Sequence, residues 1–74
     1  MYKFIIYDTL EEGLAKADEE GRAKNLPYYE NPKWFMRYVT EPFPTNDAKW
    51  ALDVTDYSTL TAEENALVVT TVNA

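Results

Sequence analysis

The sequence predicts a small α+β domain, in which one helix packs on one face of a mainly antiparallel sheet of three to four strands. A single long segment with helical periodicity follows Thr9. The length of 74 residues leaves room for one small core, so residues 1–74 are expected to form a single domain. The predicted order is β-α-β-β-turn-β, and the strands are the segments rich in β-branched and aromatic residues at 2–7, 34–40, 49–54 and 66–72.

Local signals place the first strand and the helix. Residues 2–7 are apolar on both alternating faces, which is typical of a strand inside a sheet. Thr9 and Glu12 have the spacing of a capping box, so a helix is expected to begin after Thr9. Asn25 and Pro27 are expected to end it, because Asn tolerates the left-handed conformation and Pro cannot continue a helix.

The helix is predicted to have one narrow packing face and a solvated remainder. Gly13, Ala17 and Gly21 lie along one side, where glycine suggests a close approach to the sheet. The other faces carry oppositely charged residues four positions apart, which stabilise helices. These predicted pairs are Glu12 with Lys16, Asp18 with Arg22, and Glu20 with Lys24.

The second half of the chain is predicted to be mainly strand and turn. Residues 41–47 contain Pro42 and Pro44 and are expected to form a turn, since proline does not fit a central strand. The short connection predicts antiparallel pairing between residues 34–40 and 49–54. A second capping-box spacing begins at Thr61 and predicts a single helical turn before the last strand, 66–72.

Composition limits the classes of function. The net charge of −6 and the pI near 4.4 argue against binding to nucleic acid or anionic membranes, which depends on Lys and Arg. The first residues lack a signal-peptide pattern, so a cytoplasmic protein is expected. The chain has no Cys and no His, which removes thiolate chemistry and the usual general base near neutral pH.

The remaining catalytic candidates are carboxylates. Asp53, Asp56, Glu63 and Glu64 could gather around a divalent cation, but their spacing lacks the alternating oxygen ligands and central glycine of a calcium loop. Ser58 has no imidazole to activate it. The expectation is therefore a protein that is not an enzyme and that binds no cofactor, metal or small-molecule substrate.

An aromatic sheet surface is the predicted functional site. Trp34, Met36 and Tyr38 alternate along one strand, and Trp50 is expected beside them on the next strand. A single helix covers only one face of a sheet, so these four residues are predicted to bind a second copy of the chain or another protein. In the alternative interpretation, the sheet curls and buries these side chains against the loops at 26–33 and 41–47.

A second functional hypothesis rests on the acidic residues. Residues 18–20, with Glu11 and Glu12, could imitate a phosphate backbone, which would make the chain an inhibitor of a nucleic-acid-binding protein. The basic residues interleaved along the helix argue against this hypothesis, because they pair with the acids.

The stretches TLEEGLAKADEEGRAKNLPYY and RYVTEPFPTNDAKWALDVTDY resemble short open reading frames of tailed bacteriophages, especially marine ones. The resemblance implies a viral origin and a role as a virion part, an accessory protein or an inhibitor of a host protein. It implies no site residues.

Overall fold

The structure is a computed structural model that describes residues 1–25, 30–31, 34–35 and 39–74. It confirms the predicted α+β class, with a helix on an antiparallel sheet of three strands. The described elements are β1 (Phe4–Tyr7), α1 (Leu10–Ala23), β2 (Glu30–Asn31), β3 (Trp34–Phe35), β4 (Phe43–Pro44), β5 (Trp50–Asp53) and α2 (Ala62–Ala66).

The main sheet has the order β1-β5-β4, and both pairings are antiparallel. Ile5 lies opposite Leu52 in the register of β1 and β5. The pairing extends beyond the strand ends, since the Val54 N–H donates to the Lys3 carbonyl at 2.8 Å. The strands β2 and β3 form a separate antiparallel pair.

The core lies between this sheet and α1. Ile5, Leu52 and Val54 are at most 1% exposed, and they pack with the fully buried Ala17 of the helix. Alternate residues of a strand point to opposite faces, so α1 covers the face that carries Ile5 and Leu52. Partly buried side chains complete this core, namely Tyr7, Tyr57, Leu60 and Val68.

The predicted start of α1 and its predicted end at Asn25 are confirmed, while Pro27 lies outside the described residues. The Thr9 hydroxyl oxygen accepts from the Glu12 N–H at 3.3 Å, and the same hydroxyl donates to the Glu12 carboxylate at 3.0 Å. At the other end, Asn25 has a φ of 54°, which is the left-handed conformation expected of it. Thr61 and Glu64 form the second predicted capping box, at the start of α2.

The predicted pairing of residues 34–40 with 49–54 was wrong. Each strand has two edges, and those of β5 are occupied by β1 and β4. The described partner of β3 is β2, which lies in a segment expected to be a loop. The predicted strand also ends early, because Val39 and Thr40 form a bend, while residues 36–38 lie outside the described residues.

The segment 41–47 is more than the predicted turn, because it contains β4. Pro44 is tolerated there since β4 is an edge strand. Thr45 donates its N–H to the Lys49 carbonyl at 2.9 Å, so the backbone nitrogen of the preceding Pro44 faces away from β5.

The predicted last strand, 66–72, is wrong except for one residue pair. Ala66 belongs to α2, and the Leu67 N–H donates to the Glu64 carbonyl at 3.0 Å in the final helical turn. Only Val69 forms a bridge, which is antiparallel to Phe4 on the edge of β1. The helical turn therefore takes up Ala66 and Leu67, and the residues after them pair with β1 only at Val69.

Candidate protein-interaction surface

Three aromatic side chains lie together on the face of the sheet opposite α1. The rings of Tyr2 and Phe4 stack with centroids 6.2 Å apart, and Phe4 meets Phe43 edge to face at 6.0 Å. Phe4 and Phe43 come from the two strands that flank β5, so their rings meet across Ala51, whose small side chain is fully buried. We call Tyr2, Phe4 and Phe43 the aromatic surface.

The aromatic surface is open to solvent at its Tyr2 end. Tyr2 is 67% exposed, and Val69, which pairs with Phe4, is 37% exposed. A tyrosine presents a large apolar ring and a hydroxyl at little cost in side-chain entropy, which suits protein recognition. The aromatic residues that the structure shows on this face are therefore Tyr2, Phe4 and Phe43, none of which the sequence prediction named as an interface.

The rest of this face lies beside the C-terminal segment, residues 69–73. Ile6 follows Phe4 on the same side of β1, and it lines a cavity of ≈ 160 Å³ together with Val69, Val72 and Asn73. The Asn46 N–H donates to the Asn73 carbonyl at 2.9 Å, which ties the segment to the turn after β4.

The structure describes little of the four residues predicted as an interface. Trp34 lies in β3, opposite Asn31, and its side chain is outside the described part of the chain, as are Met36 and Tyr38. Trp50 is half-buried in β5, where it lies opposite Tyr7. It alternates with Ala51, so it belongs to the face that α1 covers. Trp50 therefore does not share a face with Tyr2 and Phe4.

Sequence reasoning missed the aromatic surface because it assigned Phe43 to a turn. A signal was present, since residues 2–7 are apolar on both faces and α1 can cover only one of them. The position of Phe43 followed from the edge pairing of β4, which the two neighbouring prolines obscured.

A buried carboxylate fixes the loop that follows β5. Glu20 is fully buried in α1, and its two oxygens accept from the N–H and hydroxyl groups of Ser58 and Thr59 at 2.7 to 3.0 Å. Lys24 lies 3.3 Å away, as the predicted pair requires. Burial would raise the pKa of Glu20, but hydrogen bonds from Ser58, Thr59 and Lys24 outweigh it and lower that pKa to about 2.

Lys16 makes a second connection between α1 and this loop. Its ammonium group donates to Glu19 at 2.9 Å, to Glu64 at 3.0 Å and to the Thr59 carbonyl at 2.8 Å. Burial would lower the pKa of Lys16, but its hydrogen bonds to Glu19 and Glu64 raise that pKa above its usual value. The predicted pair with Glu12 was wrong, whereas Asp18 and Arg22 are paired at 2.7 Å as predicted.

Tyr7 has the one buried side-chain polar atom that lacks a hydrogen-bond partner among the described residues. Burial first, and the charge of Glu64 second, raise the pKa of Tyr7 to about 12. A phenol with so high a pKa stays protonated near neutral pH, so it supplies no base.

The described residues show neither a metal cluster nor a membrane span. Within 1–25, 30–31, 34–35 and 39–74, no three acidic side chains are grouped to hold a metal ion. No helix in the same residues has the length and apolar composition needed to cross a bilayer.

Comparison with protein-family models, with curated proteins and with solved structures found no match to this chain.

Proposed function

We propose that the chain is a non-catalytic protein-interaction or structural module that acts through the helix-free face of its sheet. The aromatic surface is the observation that supports this proposal. Its three rings contact one another in a row, and Tyr2, at one end of the row, is 67% exposed. Aromatic side chains in contact with one another and open to solvent are typical of protein interfaces. The partner is a second copy of the chain or another protein.

The buried polar groups support a structural role rather than catalysis. The carboxylate of Glu20 is occupied by Ser58 and Thr59, and the ammonium of Lys16 is occupied by Glu19, Glu64 and a carbonyl. Groups held this firmly position a loop and have no free lone pair or proton for a substrate.

The resemblance to short bacteriophage reading frames gives the proposal a setting. In that setting the protein is a virion component or an accessory protein in the cytoplasm of the infected cell. Its partner is then a protein of the virion or of the host.

Sedimentation velocity of three proteins tests the surface. Tyr2→Asp adds a charge at the open end of the aromatic surface, and Ala15→Asp adds the same charge on the exposed side of α1. We expect the wild type and Ala15→Asp to self-associate equally and Tyr2→Asp to associate at least tenfold more weakly. Equal association of all three proteins would show that the partner does not bind here.

A wild type that remains monomeric excludes a second copy as the partner. Each of the three proteins is then immobilised, and the proteins that it binds from the native host are compared. Only Tyr2→Asp should lose the bound protein.

The variant Met36→Asp tests the other surface, which the sequence predicted around Trp34 and Tyr38.

Ionic strength separates this proposal from the acidic inhibitor. Aromatic contacts change little with salt, whereas binding of an acidic decoy to a basic site weakens steeply. A steep loss of binding between low and physiological salt would favour the inhibitor hypothesis.

A further inference from the structure

The outer edge of β1 is closed by very few contacts. Phe4 and Val69 exchange two backbone hydrogen bonds, of 2.9 and 2.8 Å, and they form the only bridge on this edge among the described residues. In an antiparallel sheet, alternate residues direct both backbone groups to the same side. Lys3 and Ile5 face β5, so Tyr2, Phe4 and Ile6 face this outer edge.

The segment that closes the edge has the composition of a strand but does not pair as one. Residues 68–72 are all β-branched, yet only Val69 is bridged to β1. Val68 packs against the core, whereas Val69, Thr70 and Thr71 are exposed. The cavity of ≈ 160 Å³ beside Ile6 lies between this segment and the sheet.

We propose that residues 69–73, which we call the guard, cover the outer edge of β1 and can detach from it. Their release opens this edge to strand pairing with β1 of a second copy. This proposal does not rest on the aromatic surface as a binding site. A strand edge with unpaired backbone groups pairs readily with another chain, and proteins commonly cover such edges.

The sequence of β1 is suited to pair with itself. In an antiparallel pair centred on Phe4, each Phe4 lies opposite its counterpart, Tyr2 lies opposite Ile6, and Lys3 lies opposite Ile5. Aromatic pairs and aromatic–aliphatic pairs stabilise such contacts, and no like charges are directly opposed. This register provides about six backbone hydrogen bonds, compared with the two that Val69 makes.

Two proline substitutions release the guard from opposite ends. Val69→Pro removes the N–H that donates to Phe4, and Asn46→Pro removes the N–H that donates to Asn73. Asn46 is the second residue of a turn closed by the Ala48 N–H and the Thr45 carbonyl, a position that accepts proline. The matched controls Val69→Thr and Asn46→Ala keep the N–H groups.

A spin label identifies the edge dimer. The chain contains no cysteine, so Lys3→Cys provides one labelling site on an exposed side chain. In the proposed register the two labelled backbones are diagonal neighbours, about 7–8 Å apart. A dimer formed through the aromatic surface would instead keep Lys3 on the outer side of both sheets and the labels much further apart.

We expect both proline variants to remain folded, to self-associate at least tenfold more tightly than their controls, and to show strong coupling between the labels. Equal association of proline variants and controls would overturn the proposal, as would a dimer without label coupling. If both proline variants lose the fold, the segment is an integral part of the domain and not a guard.

Discussion

At the scale of single residues, Glu20 connects α1 to the loop that follows β5. The sequence placed it in a surface pair with Lys24, which would contribute little, and in the acidic run 18–20. The structure instead buries its carboxylate completely against Ser58 and Thr59. Helical spacing identifies Lys24 as a neighbour, but the loop that reaches Glu20 is set by the tertiary fold, so no local pattern could reveal it.

Glu20→Gln should destabilise the protein by about 3 kcal/mol. An amide keeps one acceptor oxygen, and its NH₂ group would face the N–H donors of Ser58 and Thr59 without a partner. Urea unfolding followed by tryptophan fluorescence measures the loss. Glu11→Gln, an exposed change in the same helix, is the control and should leave the free energy of unfolding nearly unchanged.

At the scale of elements, α1 and the strands β1 and β5 could be located to within about two residues, whereas the pairing of the strands could not be predicted. Thr9, Glu12 and Asn25 act through contacts within a few residues, so a local pattern contains the whole signal. The pairing of β5 depends on which strands occupy its two edges, and β1 lies far away in the sequence. Propensity located residues 49–54 as a strand but could not choose their partners.

The close approach of α1 to Pro42, the residue before β4, depends on Gly13. A Cβ atom at this position would lie 2.8 Å from Cγ of Pro42, too close for a rigid ring to accommodate. Gly13→Ala should therefore destabilise the protein by about 1–2 kcal/mol, despite the better helix propensity of alanine. Thermal unfolding monitored by circular dichroism measures the change.

A double-mutant cycle with Pro42→Gly isolates that contact. Without the ring, Gly13→Ala should become stabilising by about 1 kcal/mol, as in an open helix. The same loss in both backgrounds would mean that the contact with Pro42 is not its cause.

At the scale of the whole molecule, stability should fall in acid. The pKa of Glu20 is about 2 in the folded chain against a usual value of 4.5, so the unfolded chain binds a proton first as the pH falls. The stabilisation from Glu20 is complete above pH 4.5 and is lost as the pH falls toward 2. Burial would raise the pKa of Glu64, but hydrogen bonds from Thr61 and Lys16 outweigh it and lower that pKa, which acts in the same direction.

Urea unfolding at several pH values between 2 and 6 measures the free energy of unfolding over the range in which a folded pKa of about 2 predicts its loss. The wild type should lose stability steadily on acidification, and Glu20→Gln should show a shallower decline, because it has no carboxylate at that position to protonate. Parallel curves for the two proteins would show that Glu20 does not control the acid response.

The fold class could be predicted from the sequence more fully than the candidate site. Helix caps and strand composition suffice for an α+β chain, but a surface depends on which side chains meet across neighbouring strands. Phe4 and Phe43 touch only because β5 lies between their strands. That arrangement is long-range, so no local sequence pattern could show that these two residues meet.

The pairing of β1 with β5 also determines the order in which the chain can fold as it is synthesised. Phe4–Tyr7 is made before the other described strands, but its partner, Trp50–Asp53, follows only after residues 8–49. At typical rates of translation this interval is on the order of seconds. During this interval α1 can form, because its contacts are local, whereas the apolar strand β1 has no partner strand to pair with. The earliest of the described strands is thus among the last to be paired, and its apolar residues stay uncovered until β5 has been made.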